Sequence, residues 1–224
     1  MTEEARAVTA EVLALNGSYA DQAYERVLDR LVMLDIRPGE PIDDDRLATE
    51  FGFGRTPVRE ALKRLERERL VVAFPRRGTF ATAVDMTDLA DISEIRKQLE
   101  PMAAARAART APADVRARLT RLAEEILTYS DGEGPKELLR KDVRVHRAIY
   151  HAAGNPHLED ILVSLDSHAT RIWCLFLDRL PGVGDHVREH VALLQAIVAG
   201  DKETAAALSL AHIESFEQAI REIL

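Results

Sequence analysis

The run from Phe51 to Leu65, Phe-Gly-Phe-Gly-Arg-Thr-Pro-Val-Arg-Glu-Ala-Leu-Lys-Arg-Leu, constrains this chain more than any other. It reads as a tight turn that launches a basic helix. Thr56 is the expected N-cap, and Pro57 the expected first helical residue, where a missing N–H leaves nothing unsatisfied. Val58, Ala61, Leu62 and Leu65 recur at helical spacing and define a face for burial. Arg55, Arg59, Lys63 and Arg67, four apart, run along another face. The preceding helix, Asp43–Phe51, offers Leu47, Ala48 and Phe51 across a short Gly-containing turn. Two such helices make a helix-turn-helix, whose second helix enters the DNA major groove.

The segment that follows completes a winged form of that motif. Leu70–Phe74 and Thr79–Val84 are β-prone runs joined by Pro75-Arg76-Arg77-Gly78, a hairpin with a basic tip. Between Phe53 and Phe80 stand eight basic and three acidic residues, a local charge of +5 in a chain whose net charge is −8. Phosphate attraction acts over about a Debye length, ~8 Å at physiological salt, so the local charge outweighs the global one. A basic helix alone reads as a solvated surface. Turn, cap, periodic face and hairpin together point to duplex DNA ahead of RNA.

Residues 20–83 resemble the winged-helix domain of GntR-type bacterial transcription regulators. The resemblance is carried by Ile36–Ile42, Leu47-Ala48, Arg55–Glu66, Leu70-Val71 and Arg77–Phe80. It implies that Arg55, Thr56 and Arg59 approach an operator, with Gly78 letting the wing backbone come close to the minor groove. Arg55 and Arg59 are the expected base readers, because a guanidinium spans guanine O6 and N7 with two bonds. Thr56, Lys63, Arg76 and Arg77 are expected on phosphates, which hold register without reading sequence. Three residues depart from the family pattern. Gly54 stands where Ser or Thr is usual, and Asp45 where some members carry an operator-contacting Arg. Arg69 replaces a Gly after the recognition helix, and a non-Gly residue in a left-handed C-cap costs on the order of 1 kcal/mol.

At 224 residues the chain suits two modest domains. The single cysteine, Cys174, excludes an intramolecular disulfide and fits a reduced, cytoplasmic location. No stretch approaches the ~18–20 uncharged apolar residues of a membrane span. Glu3, Glu4 and Glu11 at the start exclude a signal peptide. The expected organisation is an N-terminal extension (1–18), a winged helix-turn-helix (19–84) and an all-helical domain (85–224). Thr87 is the expected cap of the first of six helices, at 88–109, 113–129, 136–153, 157–178, 185–199 and 202–223. Their breaks carry Ala111-Pro112, Asp131–Pro135, Gly154-Asn155-Pro156, Pro181-Gly182 and Gly200-Asp201, and Pro101 is a candidate kink. The fold class is mainly α, a winged helix-turn-helix followed by an antiparallel helical bundle.

The inward faces of three of these helices carry ionisable groups. The stripes are Leu139, Asp142, Val143, His146, Ile149 and Tyr150, then Val187, His190, Val191, Leu194 and Ile197, then Ala205, Leu208, His212, Phe216 and Ala219. An unpaired buried charge is costly. One divalent cation bound by Asp142, His146, His190 and His212 would satisfy all four. The alternative is that each histidine is separately hydrogen-bonded in the core; four converging groups favour the shared cation. Residues 87–216 are also similar to the helical effector (FCD-type) domain of the FadR-like branch of the same family. That likeness rests on Ile95–Pro101, Asp142–His146, Ala152–Asn155, Glu189-His190 and Ala196–Asp201 before His212. It implies that the aspartate and three histidines bind a divalent metal, and that a small carboxylate effector completes the coordination. Val145 stands where Phe is common, which alters packing more than ligation.

Zinc leads among the metals such donors accept, with nickel, manganese and iron also compatible. Arg96, expected beside Ile92, Ile95 and Leu99 on the inner side, reads equally as a clamp for an effector carboxylate and as a structural partner of Glu100 or another acid. His168, on a line with Ile161, Leu165, Ile172 and Leu175, is the other effector-side candidate, or a core residue. His151, His157 and His186 read as loop or helix-end residues, and Arg171 and Trp173 carry no assignment. The expected whole is a ligand-responsive regulator, a repressor by the usual habit of its likeness. It would bind a palindromic double-stranded operator as a homodimer. The rival readings are a metal-dependent hydrolase or lyase working through the centre of one aspartate and three histidines, and a regulator whose metal is purely structural.

Overall fold

The computed structural model describes residues 17–129, 134–180 and 182–223. The expected N-terminal extension, apart from Gly17 and Ser18, lies outside the described residues, as do residues 130–133 and Pro181 in the expected breaks. The chain forms two compact units, one ending at Ala83 and the other beginning at Val84.

In the first unit, α1 (Tyr19–Val32) is capped reciprocally. Asp21 N donates to Ser18 Oγ at 3.2 Å, and Ser18 N donates to Asp21 Oδ2 at 3.0 Å. A two-residue strand β1 (Pro41–Ile42) leads to α2 (Asp44–Phe51), whose cap Asp43 accepts from the Asp45 and Arg46 amides. Gly52, at φ 71°, ends α2 in the left-handed region that glycine enters freely. The basic helix α3 spans Arg55–Arg67 and packs its Val58, Ala61, Leu62 and Leu65 face toward α1. It starts two residues earlier than expected: Gly54 is the N-cap, and Thr56 makes no cap bond. No amide of the first turn has an intrahelical acceptor, so Pro57 fits the third helical position as well as the first.

At its other end, Arg69 takes φ 61°, the left-handed conformation expected of that position. Strands β2 (Val71–Phe74) and β3 (Gly78–Ala81) pair antiparallel from Val71↔Ala81 to Phe74↔Gly78. β1 adds to the free edge of β3, giving the order β1-β3-β2. That third strand was not expected: two residues leave no periodic trace, and Pro41 stands at the strand's start on an edge, where no ladder N–H is needed.

The second unit is six helices: α4 (Asp88–Thr110), α5 (Ala113–Leu127), α6 (Pro135–Ala152), α7 (Pro156–Phe176), α8 (Val183–Ala199) and α9 (Lys202–Arg221). Asn155 and Asp201 cap α7 and α9 through their side chains, and Gly200 closes α8 at φ 81°. Pro101 lies inside an uninterrupted α4. α4 is the central rod, packed against α6, α7, α8 and α9. Its Ala103, Ala104, Ala107 and Ala108 are 0–1% exposed; Ala103 packs in a cluster with Tyr150, Leu158 and Leu162, and α9 is the helix's most extensive neighbour. No helix among the described residues is long and apolar enough to cross a membrane.

Candidate nucleic-acid face and metal centre

Arg55, Thr56, Arg59 and Lys63 are exposed on α3, and Arg76, Arg77 and Gly78 are exposed at the hairpin tip. The two arginines expected to read bases are already engaged. Arg59 Nε donates to Asp44 Oδ2 at 2.5 Å, and Arg55 pairs with Asp45. The Arg59 bond holds the Asp44 carboxyl below its ordinary range. In the sequence, Asp45 reads only as a missing operator contact. In the structure both acids, at the start of α2, sit opposite the guanidinium groups of α3. Arg76 reaches the tip with φ 63°, and Arg77 lies over the Phe74 ring at 5.6 Å.

In the bundle, Asp142 and His146 stand one turn apart on α6, His190 on α8 and His212 on α9. One ligand atom from each lies within 4.8 Å of all the others, and all four residues are buried. His146 Nε2 is 3.3 Å from His212 Nε2 and 3.6 Å from Asp142 Oδ2. Two buried atoms, Asp142 Oδ1 and His190 Nε2, have no hydrogen-bond partner. Orphaned buried polar atoms on clustered ligand residues are what a cation resolves.

The outer nitrogens complete the arrangement. His212 Nδ1 lies 2.9 Å from Glu189 Oε2, and His190 Nδ1 lies 3.2 Å from the Val187 carbonyl. His146 Nδ1 is 3.3 Å from Glu100 Oε2 and 3.2 Å from the Tyr150 hydroxyl. With Nδ1–H donating outward to these oxygens, the Nε2 lone pairs of His146 and His212, 3.3 Å apart, are free to share a cation, while His190 Nδ1 also lies 3.5 Å from Asp142 Oδ1. Three imidazole nitrogens and a carboxylate oxygen suit zinc and its first-row neighbours. Glu100, Glu189 and the Val187 carbonyl were not foreseen. They come from other elements or from backbone, and no local pattern announces them.

The electrostatics follow from burial. Desolvation raises Asp142 to about 7 and drives His190 and His212 well below the usual histidine range. Burial would depress His146 as well, but the Glu100 and Asp142 charges outweigh it and raise the ring to about 9. Burial likewise pushes Glu100 up, and Arg96 with His146 pulls it down to about 2. The cluster without a cation therefore holds protons where a cation would bind.

Arg96 is buried, with Nε donating to Glu100 Oε1 at 2.5 Å and Nη2 lying 3.6 Å from Asp166 Oδ1. Of its two readings, this geometry realises the ion pair. Ile95 does not flank it on the inner side as expected; it is 46% exposed, because residues one apart on a helix point 100° away from each other. His168 is half-buried and belongs to neither histidine group, since Ile161 and Leu175 on its line face outward while Leu162, Asp166 and Trp173 face in. His186, given no role from sequence, is buried and stacked on His212 at 4.0 Å, with Trp173 4.4 Å away. α8 begins at Val183, which carries His186 one turn ahead of His190 on the same face. Trp173 and Arg171 are buried too.

Residues 19–81 match the family described as bacterial regulatory proteins, gntR family, and residues 91–215 match the FCD domain. The chain is 28% identical over 214 residues to an uncharacterized HTH-type transcriptional regulator, YdhC, of Bacillus subtilis, covering 92% of each chain. It is 22% identical over 204 residues to the HTH-type transcriptional repressor RspR of Escherichia coli, covering 91% of this chain and 90% of that one. The solved structure of E. coli McbR/YncC has the same fold, with a TM-score of 0.80 at 23% identity over 93% of this chain and 99% of that one. These relatives and both domains are transcriptional regulators, which removes the hydrolase or lyase alternative. A DNA-binding winged helix joined to an FCD bundle that alone matches more than half of the chain makes this protein a member of the GntR family of bacterial transcription regulators.

Proposed function

We propose that this regulator is a repressor that binds a palindromic operator as a homodimer in the cytoplasm, and that its bundle holds one divalent cation, zinc foremost, through Asp142, His146, His190 and His212. A small organic acid completing the coordination is the proposed signal. Arg55 and Arg59 read bases, and Thr56, Lys63, Arg76, Arg77 and the Gly78 backbone contact the sugar–phosphate strands. The observation that carries the metal reading is the convergence of three imidazoles and a carboxylate, with Asp142 Oδ1 and His190 Nε2 buried and without a hydrogen-bond partner. Repression is supported by the role of the relative RspR. A single winged domain contacts too little DNA for useful specificity, and family members typically dimerise, which supports two-fold binding.

The bundle's side of the mechanism is a matter of access and orientation. Glu189, Glu100 and Val187 aim the imidazoles, while the bound cation supplies a Lewis-acidic point for a carboxylate oxygen. Arg96 stabilises the charge of Glu100 behind His146, and its guanidinium is already shared between Glu100 and Asp166. A purely structural cation is the second reading, favoured by the burial of all four ligands.

Metal analysis of full-length protein loaded with zinc is expected to give about one ion per chain. His190→Ala should lose it while keeping its circular dichroism, and equal uptake by both proteins would overturn the site. Cobalt(II) in place of zinc separates the two metal readings. A visible spectrum that shifts with small mono-, di- or hydroxy-acids supports the effector reading, and an unmoved spectrum supports the structural one. On DNA selected from a random duplex pool, Arg59→Ala should weaken binding by about 1–3 kcal/mol and relax one base position. Wild-type behaviour of that variant on both selected and random duplex would refute the recognition-helix assignment.

A further inference from the structure

His212 faces two ways, and the four-ligand cluster uses only one of its nitrogens. Its Nε2 lies 3.3 Å from His146 Nε2 on the inner side, while its Nδ1 lies 2.9 Å from Glu189 Oε2. The same carboxylate oxygen is 3.5 Å from His186 Nδ1. One ligand atom from each of His186, Glu189 and His212 lies within 4.8 Å of the other two, so a second group of metal-binding side chains shares the His212 ring with the first. Two donors held by one zinc at ~2.1 Å in a tetrahedral array stand about 3.4 Å apart. The separations of 2.9 and 3.5 Å bracket that value.

The two groups differ in exposure and in quality. All four inner ligands are buried. Of the two acids against their imidazoles, Glu100 is buried and Glu189 is 43% exposed, so the cluster meets solvent at Glu189. Ser215 Oγ donates to the other Glu189 oxygen at 3.4 Å. His186 is fixed by its stack on His212, with Trp173 packed edge to face against it. The His186 and His212 rings are inclined by only 24°, so their lone pairs lie side by side rather than converging on one point. Three donors with that fault hold a cation less tightly than the inner four, which suits a place of passage.

We propose that His186, Glu189 and His212 Nδ1 form an outer divalent-cation site, the station through which a cation enters and leaves the buried one. This rests on the reading that Asp142, His146, His190 and His212 hold a cation. A neutral imidazole has one nitrogen lone pair to give, so His212 serves one site at a time. While Nδ1 serves the outer site, Nε2 carries the ring proton. On passage inward the Nδ1–cation bond breaks, and Nδ1 takes a proton from water and donates it to Glu189. Nε2 gives its proton to water before bonding. The ring stays neutral, and no proton is gained or lost overall.

Equilibrium zinc titration of the full-length protein tests the site, and stopped-flow cobalt(II) loading tests the passage. His190→Ala, which breaks the inner site, is expected to retain one weaker site, lost on desalting but visible at equilibrium. Adding His186→Phe, which keeps the aromatic stack without the lone pair, should weaken that residual binding by about tenfold or more. In the otherwise wild-type chain, His186→Phe should slow cobalt loading and chelator extraction together. Glu189→Gln is exposed and keeps an oxygen for His212 Nδ1; it should act the same way, and it decides alone should His186→Phe fail to fold. No residual site in His190→Ala, or one indifferent to both substitutions, would overturn the outer site and leave the inner four standing. Loading at the wild-type rate in both variants would overturn the passage. Wild-type zinc affinity in His190→Ala would instead remove the inner site, and the passage to it.

Discussion

Asp44 holds Arg59 and Asp45 holds Arg55 across the gap between α2 and α3. Exposed pairs of this kind contribute little to folding. Their effect falls on DNA, since each acid aims a guanidinium and also repels a phosphate strand that approaches out of register. Replacing both acids by alanine is expected to tighten binding to random duplex and shrink the preference for operator. The salt dependence should steepen by up to about 2 in the log–log slope, one for each released arginine. Fluorescence anisotropy at several salt concentrations measures this, and an unchanged slope would mean the acids play no such part. In the bundle, Glu189 orients His212 from a half-exposed position one residue before a ligand. Glu189→Ala should weaken zinc binding roughly 10–100-fold in a competition titration while leaving the fold intact; undiminished affinity would leave the carboxylate a bystander. The four ligands were legible because an Asp or His on an otherwise apolar helical stripe stands out. Their orienting partners were not, because an acid at a solvent edge such as Glu189 looks ordinary until another helix brings an imidazole to it.

Elements end where local chemistry ends them, and that is why three of the six bundle helices begin where expected and the other three within two residues of the expected position. Caps, prolines and glycines act on their own neighbours. Arg69 is an instance of the same rule under strain: α3 ends in a left-handed residue at φ 61° although no glycine is there. Arg69→Gly should therefore raise stability by about 1 kcal/mol in urea unfolding, the steric penalty of a Cβ in that region less glycine's extra chain entropy. No gain would mean the strain is already relaxed by neighbouring contacts. The alanine stripe on α4 makes the opposite prediction. Ala107→Leu adds side-chain carbons where exposure is 0%, and overpacking there should destabilise the protein by about 1–3 kcal/mol. β1 escaped notice at this scale, since a two-residue strand exists only through the partner strand it borders.

For the molecule as a whole, the proposed metal centre couples stability to pH. His146, raised to about 9 from an ordinary 6.5, binds a proton more tightly in the folded state, so its contribution is complete below pH 6.5 and lost as pH rises through about 9. Asp142, raised to about 7 from 3.8, also favours the folded state only while protonated, so its contribution is lost earlier, as pH rises through about 7. Without a cation, the melting temperature should thus fall between pH 7 and 9. A bound cation takes the place of those protons, so the rise in melting temperature on adding zinc should grow across the same interval. A zinc-induced shift that stays constant with pH would argue that the cation binds elsewhere. The sequence by itself determined the winged reader, the six-helix plan and the four residues on inward stripes, because periodicity, capping and turn chemistry act over a few neighbours along the chain. Only the tertiary structure decided which acid holds which arginine, which oxygen turns each imidazole and which histidine joins the cluster unannounced. Those contacts depend on the distance between helices far apart in sequence, and no pattern within one helix encodes it.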